Sequence, residues 1–282
     1  MAKRTLFKCP VCNNPLLKGE KQYFCERGHS FDIARRGYVN LLLPAHIGAG
    51  TPGDSKEMLR SRREFLNAGH YKLFSDQLND VMDRLLTERA SESTAVLDAG
   101  CGEGYYTWRL RNMLVSANLP LPPEIYGTDV SKIAIDYAAR RDRNIHFAVA
   151  STYHLPILSG TIDCVMCVFA PKDEMEFWRV LKPAGKLVVA APGPRHLMGL
   201  RSMLYNNPEP IGPRGTTGEG FTLLDSVQVS YEIALQGSRE IMNLLTMTPY
   251  VRHADEGALA RLNQLERLEN EVDINIMVYQ KV

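Results

Sequence analysis

Apolar and polar residues alternate along this 282-residue chain with two distinct periods, one helical and one typical of short buried strands. DSKEMLRSRREFLNAGHY, residues 54–71, has the spacing of an amphipathic helix, and Asp54 followed by Glu57 reads as a capping box at its start. A second helix is predicted over roughly residues 72–86, with Leu73, Leu78, Val81, Met82, Leu85 and Leu86 on one face. From Thr94 the pattern shifts to short apolar runs: residues 94–98, EIYGTDVS, NIHFAVAS, TIDCVMCVFAP and LKPAGKLVVAAP read as five strands. Residues 131–141 and 173–181 supply helices between them, and Lys182-Pro183-Ala184-Gly185 marks a tight turn before the fifth run. Towards the end, VQVSYEIAL and VDINIMVYQ read as strands around the helical SREIMNLLTM and GALARLNQLERL. Strand-helix alternation of this kind predicts an α/β fold, a Rossmann-like doubly wound, mostly parallel sheet whose final strands form an antiparallel edge.

Composition narrows the setting. An apolar fraction of 45% fills a real core, and the length suits one large domain and a small one. No run of 18 apolar residues occurs, and MAKRTLFKCP lacks the apolar stretch of a signal peptide, so a cytoplasmic protein without a membrane span is expected. Six cysteines are too few for a disulfide scaffold at this size and point to thiols or metal ligands. The net charge is only +1, but residues 1–63 hold 12 Lys or Arg against 5 Asp or Glu, a balance of +7 that leaves −6 for the remainder. A polyanion is expected to dock at the front end, the other reading being an ordinary solvated surface.

Cys9, Cys12, Cys25 and His29 follow the spacing C-x2-C-x12-C-x3-H. A C-x-x-C turn brings two thiolates to one ion, and a hairpin with Gly19 near its turn and Tyr23 and Phe24 in the returning strand brings the second pair. Four N/S ligands leave no position for water, so the zinc expected here is structural. A redox role for Cys9 and Cys12 needs a helix after the pair, which Pro10 and Pro15 disfavour. In the following FDIARRGYVNLLL, Arg35, Arg36 and Tyr38 suit RNA contact through charge and stacking, while Phe31, Ile33, Tyr38 and the leucines equally suit packing against the next domain.

TAVLDAGCGEGYYTWRL places a glycine-rich turn, Gly100, Gly102 and Gly104, between a strand closing at Asp98 and a helix opening at Tyr105. Such a turn lets a ligand lie against bare backbone at a helix N-terminus. Asp129, at the end of the second strand, is placed to accept from a ribose diol, the alternative being a cap for the helix starting at Ser131. Cys164 and Cys167 lie within the apolar fourth strand and read as core.

Residues 98–192, with the D-x-G-x-G-x-G loop, the acidic end of the second strand and the LKPxG turn, resemble a class I S-adenosylmethionine-dependent methyltransferase. Joined to the zinc module, RRGYVNLL, LNAGHY and PGPRHLMGL, nearly the whole chain resembles the 23S rRNA (guanine-N1)-methyltransferases, a family that includes enzymes associated with macrolide antibiotic resistance. The resemblance implies that S-adenosylmethionine is held by Gly102, Glu103, Tyr71 and His196. The general methyltransferase pattern adds Asp98 and the neighbouring Gly100 and Gly104, with Asp129 on the ribose and Ser151 and Thr152 near the adenine. The four zinc ligands match without a gap, and Ala184 departs from a glycine common in the broader class.

The division implied is residues 1–40 as a zinc-binding, RNA-recognition module, 41–90 as linker and packing helices, and 91–282 as the methyltransferase domain. The partner implied is a hairpin of 23S rRNA, with the target base turned out of its stack, and the family suggests a homodimer. No side chain identifies itself as the base that removes the guanine N1 proton: Asp173 and Glu174 follow the fourth strand but suit a helix cap, and Arg195 and His196 lie beyond the fifth. NNPEPIGPRGTTGEG, residues 206–220, reads as an irregular loop that either orders over RNA or simply connects two elements. The competing functions are a small-molecule methyltransferase with a purely structural zinc, and a non-catalytic binding module on a degenerate core.

Overall fold

The structure is a computed structural model that describes residues 2–46, 53–87, 94–117, 121–212 and 218–282. Five short strands come first: β1 (Lys3–Lys8), β2 (Pro15–Lys18), β3 (Gln22–Phe24), β4 (Ser30–Asp32) and β5 (Val39–Asn40). Helices α1 (Lys56–Asn67) and α2 (Lys72–Thr87) lead into the alternating region: β6 (Ala95–Ala99), α3 (Tyr105–Ser116), β7 (Glu124–Asp129), α4 (Lys132–Arg141), β8 (His146–Val149), β9 (Ile162–Val168), α5 (Glu174–Val180) and β10 (Leu181–Pro192). The chain then continues through α6 (Met198–Leu204), β11 (Phe221–Gln236), α7 (Gly237–Thr246), α8 (Glu256–Gln264) and β12 (Arg267–Lys281).

Among the described residues these strands make two sheets, β1-β2-β3-β4 and β11-β12-β10-β9-β6-β7-β8-β5. The first is antiparallel throughout. In the second, β5, β8, β7, β6, β9 and β10 run parallel, and β12 and β11 add an antiparallel edge. The doubly wound, mostly parallel sheet read from the apolar runs is therefore present, and its antiparallel edge is where the last two long strands fold back.

Side chains alternate across a strand, so each central strand feeds two cores. Val96, Cys164, Met166 and Val188 enter one, with Leu78, Leu110, Ile135 and Leu244 from the covering helices. Leu97, Val165, Cys167 and Val189 enter the other, where Phe177 and Val180 of α5 are joined by Phe7, Leu16 and Tyr23 of the small sheet. The N-terminal sheet thus does the work of a packing layer on one face. Phe7 is fully buried and meets Tyr23 and Tyr126 edge to face at 5.7 and 5.2 Å. Main-chain hydrogen bonds from Lys8 N to Pro156 O and from Leu158 N to Leu6 O fix the register. Val39 and Asn40, at the end of the segment expected to be the zinc module, form the edge strand of the large sheet beside β8.

Several local readings are corrected by the packing. Ser55, not Asp54, caps α1, accepting from Met58 N–H at 3.2 Å, while Asp54 turns to Arg62. Leu73 is 57% exposed, because α2 begins beyond the edge of the core that takes Leu78, Val81 and Met82. The helix read over residues 257–268 stops at Gln264, and β12 already begins at Arg267 because β11 offers it a full-length partner. Cys164 and Cys167 are buried, as their apolar strand implied. Ala184 takes a φ of 58°, a left-handed conformation that costs an alanine about 1–2 kcal/mol and suits the glycine found there in the broader class. Among the described residues no helix is long and apolar enough to cross a membrane.

Glu64 ties α1 to α7. Its Oε2 accepts from Asn243 Nδ2 and Arg239 Nη2, both at 3.0 Å, and its Oε1 from Arg60 Nε at 3.1 Å. Those donors, Asn243 first, hold its carboxyl down to about 2. A carboxylate whose folded value lies below its unfolded one stabilises the fold above the unfolded value of about 4.3, and that contribution disappears as pH falls towards the folded value. Glu64→Gln is expected to flatten the fall in melting temperature between pH 5 and pH 2. An acid limb identical to that of the wild type would show that the bridge contributes nothing to stability.

Candidate active site and metal centre

Cys9 and Cys12 occupy the turn after β1, and Cys25 and His29 flank the turn between β3 and β4. Asn13, at a φ of 61°, closes the first turn through its N–H to Cys9 O, and Gly28, at 84°, closes the second through its N–H to Cys25 O. The ligand atoms of Cys9, Cys12, Cys25 and His29 all lie within 4.8 Å of one another. His29 Nδ1 is 3.6 Å from Cys9 Sγ and 3.5 Å from Cys25 Sγ, and Cys12 Sγ is 3.6 Å from Cys25 Sγ. Zn–S bonds of about 2.3 Å in a tetrahedron put sulfurs about 3.8 Å apart, so the cluster has the dimensions of a closed zinc site. A turn, not a helix, follows Cys9 and Cys12, which removes the thioredoxin-like reading. The zinc is structural.

The C-terminal ends of the parallel strands open into a cavity of about 860 Å³, where Asp98, Gly100, Gly102, Glu103, Asp129, Ser151, Thr152, Tyr71 and His196 come together. Gly104 does not line it but starts α3 as an N-cap at a φ of 80°, without a side-chain cap. Two of the glycines are required sterically. A Cβ on Gly100 would sit 2.3 Å from Ala170 Cβ, and one on Gly104 would sit 2.7 Å from Ala138 Cβ.

Asp129 organises the rim of this loop. Its Oδ2 accepts from Gly102 N–H at 3.0 Å and its Oδ1 from Ser131 N–H at 2.8 Å. The cap of α4 is Ser131 itself, which accepts from Ala134 N–H. Asp98 and Glu103 are each 1% exposed. One oxygen of Asp98 accepts from the Thr107 hydroxyl and one of Glu103 from Arg141 Nε at 2.7 Å; the other oxygen of each has no hydrogen-bond partner in the protein. Burial, opposed by Thr107 and reinforced by Asp129, pushes the Asp98 carboxyl up to about 7. Burial also raises Glu103, against the pull of Arg141. Buried, unsatisfied acceptors are costly, so a ligand that brings donors and positive charge fits this wall.

Tyr71 and His196, 125 residues apart in sequence, meet at 3.1 Å between Oη and Nε2. Asp273 N–H donates to His196 Nδ1 at 3.2 Å. That nitrogen is therefore the acceptor, and burial pushes the imidazole down to about 4, so the neutral ring carries its proton on Nε2 and donates it to Tyr71. The Tyr71 hydroxyl proton is left to serve another acceptor in the cavity. Ser151 and Thr152, each 8% exposed, follow β8 and line the same cavity.

Other wall residues had no signal in the sequence. Arg62 reaches in from α1, paired with Asp54 and donating from Nη2 to Met247 O at 3.0 Å. Phe169 and Lys172 follow β9, and Thr248 and Tyr250 follow α7. Their elements converge on the strand ends only in three dimensions, so no spacing announces them. Asp173 accepts from Glu176 N–H as the cap of α5, Glu174 pairs with Lys172 at 3.6 Å, and Arg195 pairs with Glu271 at 2.6 Å, so none of the three has its charged end in the cavity. Of the 206–220 stretch, Ile211 touches the cavity, and residues 213–217 lie outside the described residues.

Arg35 and Arg36 line a separate open groove with Lys21 and Arg143, alongside the acids Glu20 and Asp32. Tyr38 is corrected: at 6% exposure its ring belongs to the core beneath β5 and offers no stacking face.

Residues 7–47 match the zinc-ribbon family described as "RlmA, N-terminal", and residues 96–185 match "Methyltransferase domain". The chain is 34% identical over 280 residues to a Micromonospora griseorubida protein assigned to the 23S rRNA (guanine-N(1)-)-methyltransferases, covering 89% of this chain and 88% of that one. It is 29% identical to YxjB of Bacillus subtilis (strain 168), assigned to the same enzymes, with 98% of each chain covered. The 23S rRNA (guanine(748)-N(1))-methyltransferase of Streptomyces fradiae is 34% identical over 195 residues, 68% of this chain and 65% of that one. The two modules that the geometry shows packed together are thus matched together, end to end, and the chain belongs to the 23S rRNA (guanine-N1)-methyltransferase family as an S-adenosylmethionine-dependent enzyme with a structural zinc.

Proposed function

We propose that the protein transfers a methyl group to N1 of a guanine in a hairpin loop of 23S rRNA. The observation that carries this reading is the match, over 89% and 98% of the chain, to two relatives assigned to the 23S rRNA (guanine-N(1)-)-methyltransferases, spanning zinc module and methyltransferase core alike. Lys21, Arg35, Arg36 and Arg143, gathered along one open groove that Glu20 and Asp32 share, add support, because an RNA backbone is drawn to such an excess of positive charge.

Bound S-adenosylmethionine supplies the electrophilic methyl on a sulfonium. In this reading the unsatisfied oxygens of Asp98 and Glu103 take donors and positive charge from its methionine end, with Gly100 and Gly102 giving close backbone approach. Arg62 offers the carboxylate a guanidinium, Asp129 accepts from the ribose with its remaining lone pairs, and Ser151 and Thr152 border the adenine. His196 is an orienting group and not a base, because Asp273 N–H occupies its acceptor nitrogen. It holds Tyr71 so that the phenol proton points to the ligand. Catalysis of this kind rests on positioning in a dry pocket, which the burial of Tyr71, Asp98 and His196 provides.

The test uses tritium-labelled S-adenosylmethionine and 23S rRNA that lacks the modification, followed by mass spectrometry of rRNA fragments. Label is expected as 1-methylguanosine in one hairpin fragment. No transfer to any such rRNA, alongside demonstrated cofactor binding, would overturn the assignment. Label at another position of guanine would overturn the N1 part alone.

A further inference from the structure

β9 ends with an abrupt change in side-chain direction. Cys167 and Val168 are buried, but the next residue, Phe169, is 40% exposed and lies in the cavity wall. Its φ of 54° is left-handed, a conformation that bulky side chains rarely adopt and that concentrates at working sites. The backbone there is pinned from both sides. Phe169 N–H donates to Ala190 O at 3.0 Å, and Ala170 packs so closely on Gly100 that no side chain fits between them. The turn is thereby locked to the same glycine loop that borders the cofactor end of the cavity.

The Phe169 ring is braced as well as exposed. It lies 5.6 Å from Phe74, 6.3 Å from Tyr71 and 6.0 Å from His196, the last with planes only 27° apart. The cavity is lined by two kinds of group, the carboxylates Asp98, Glu103 and Asp129 and the rings of Phe169, Tyr71, Tyr105, Tyr106 and Tyr250. The carboxylates suit a cation with a ribose. A rigid, partly exposed ring suits a flat heteroaromatic group, for which stacking gains affinity without hydrogen-bond readout.

We propose that Phe169 is the platform on which the acceptor guanine stacks after it turns out of the RNA. This rests on the rRNA reading above and adds the residue that receives the base. The pinned backbone and the braced ring set the base plane before the RNA arrives. The hydrogen-bonding edge of the guanine is then left for the polar groups of the cavity, and the platform itself is indifferent to base identity.

The experiment compares Phe169→Leu, which keeps apolar volume without a π face, with Phe169→Tyr, which keeps the face. Three quantities are read: melting temperature, cofactor Kd by calorimetry, and kcat/KM for 23S rRNA at saturating cofactor. Phe169→Leu is expected to lower kcat/KM for RNA by about 10- to 100-fold, with cofactor Kd within about twofold of wild type. Phe169→Tyr is expected to stay within about threefold on both. Wild-type turnover by Phe169→Leu would overturn the proposal. So would a loss of cofactor affinity matching the loss of turnover, which would assign the ring to the cofactor, or equal impairment by Tyr and Leu, which would make it a packing residue. Failure of the wild-type protein to methylate rRNA is seen in its own reaction and overturns the rRNA reading itself.

Discussion

Cys25→Ser is expected to strip the protein of its metal, about one zinc per chain in the wild type, and to lower its melting temperature by roughly 10 °C or more. Cys25 is 3% exposed and shares a core with Phe7, Leu16 and Tyr23 on one side and Tyr126, Leu97 and Val165 on the other. Losing the ion therefore does more than loosen a surface hairpin. It frees the two turns that present Phe7 to Tyr126, and it uncovers the face of the sheet that α5 alone does not shield. A strong chelator should reproduce the effect on the wild-type protein, because metal binding in such sites is itself folding free energy. Metal content and melting temperature both unchanged in Cys25→Ser would show that the four-ligand assignment is wrong.

Asp129→Ala should weaken S-adenosylmethionine binding by about 100-fold, measured by calorimetry. Two losses combine. The acceptor proposed for the ribose goes, and the N–H groups of Gly102 and Ser131, which Asp129 now satisfies at 3.0 and 2.8 Å, lose a partner at the cavity rim. A hydrogen bond to a charged acceptor contributes about 1.5–3 kcal/mol, one to two powers of ten in affinity, and the loop that Asp129 no longer fixes adds to the loss. Asp129→Asn keeps one acceptor oxygen and should fall between the two. An alanine variant that binds the cofactor as tightly as the wild type would confine Asp129 to the local turn.

The zinc ligands were readable in the sequence because each pair sits in a turn of a few residues and the intervening hairpin is short. Local chain geometry brings the thiolates together almost wherever the module is placed. The glycine loop was legible for a similar reason, since β6, the turn and α3 are consecutive. Where local signals compete, spacing alone does not choose between them. Asp54 and Ser55 are both good cap residues, and the neighbouring Arg62 decided between them by engaging Asp54. Leu73 has helical spacing with Leu78 and its neighbours, but burial depends on where the helix meets its core. Tyr38 carries the same ring whether it faces RNA or the interior, and only the placement of β5 beside β8 turns it inward.

By itself, then, the order of residues determined the zinc module, the alternating α/β plan and the glycine loop with its paired aspartates, because each depends on contacts within a turn or between adjacent elements. Tertiary structure decided the rest of the site. Tyr71 reaches His196 across 125 residues, Arg62 meets the 247–250 segment, and Phe169 faces a cavity because its backbone is trapped between Ala190 and Gly100. Hydrophobic periodicity specifies which face of an element is buried but carries no information about which distant side chains share a cavity, and that is settled only when the sheet closes over both cores.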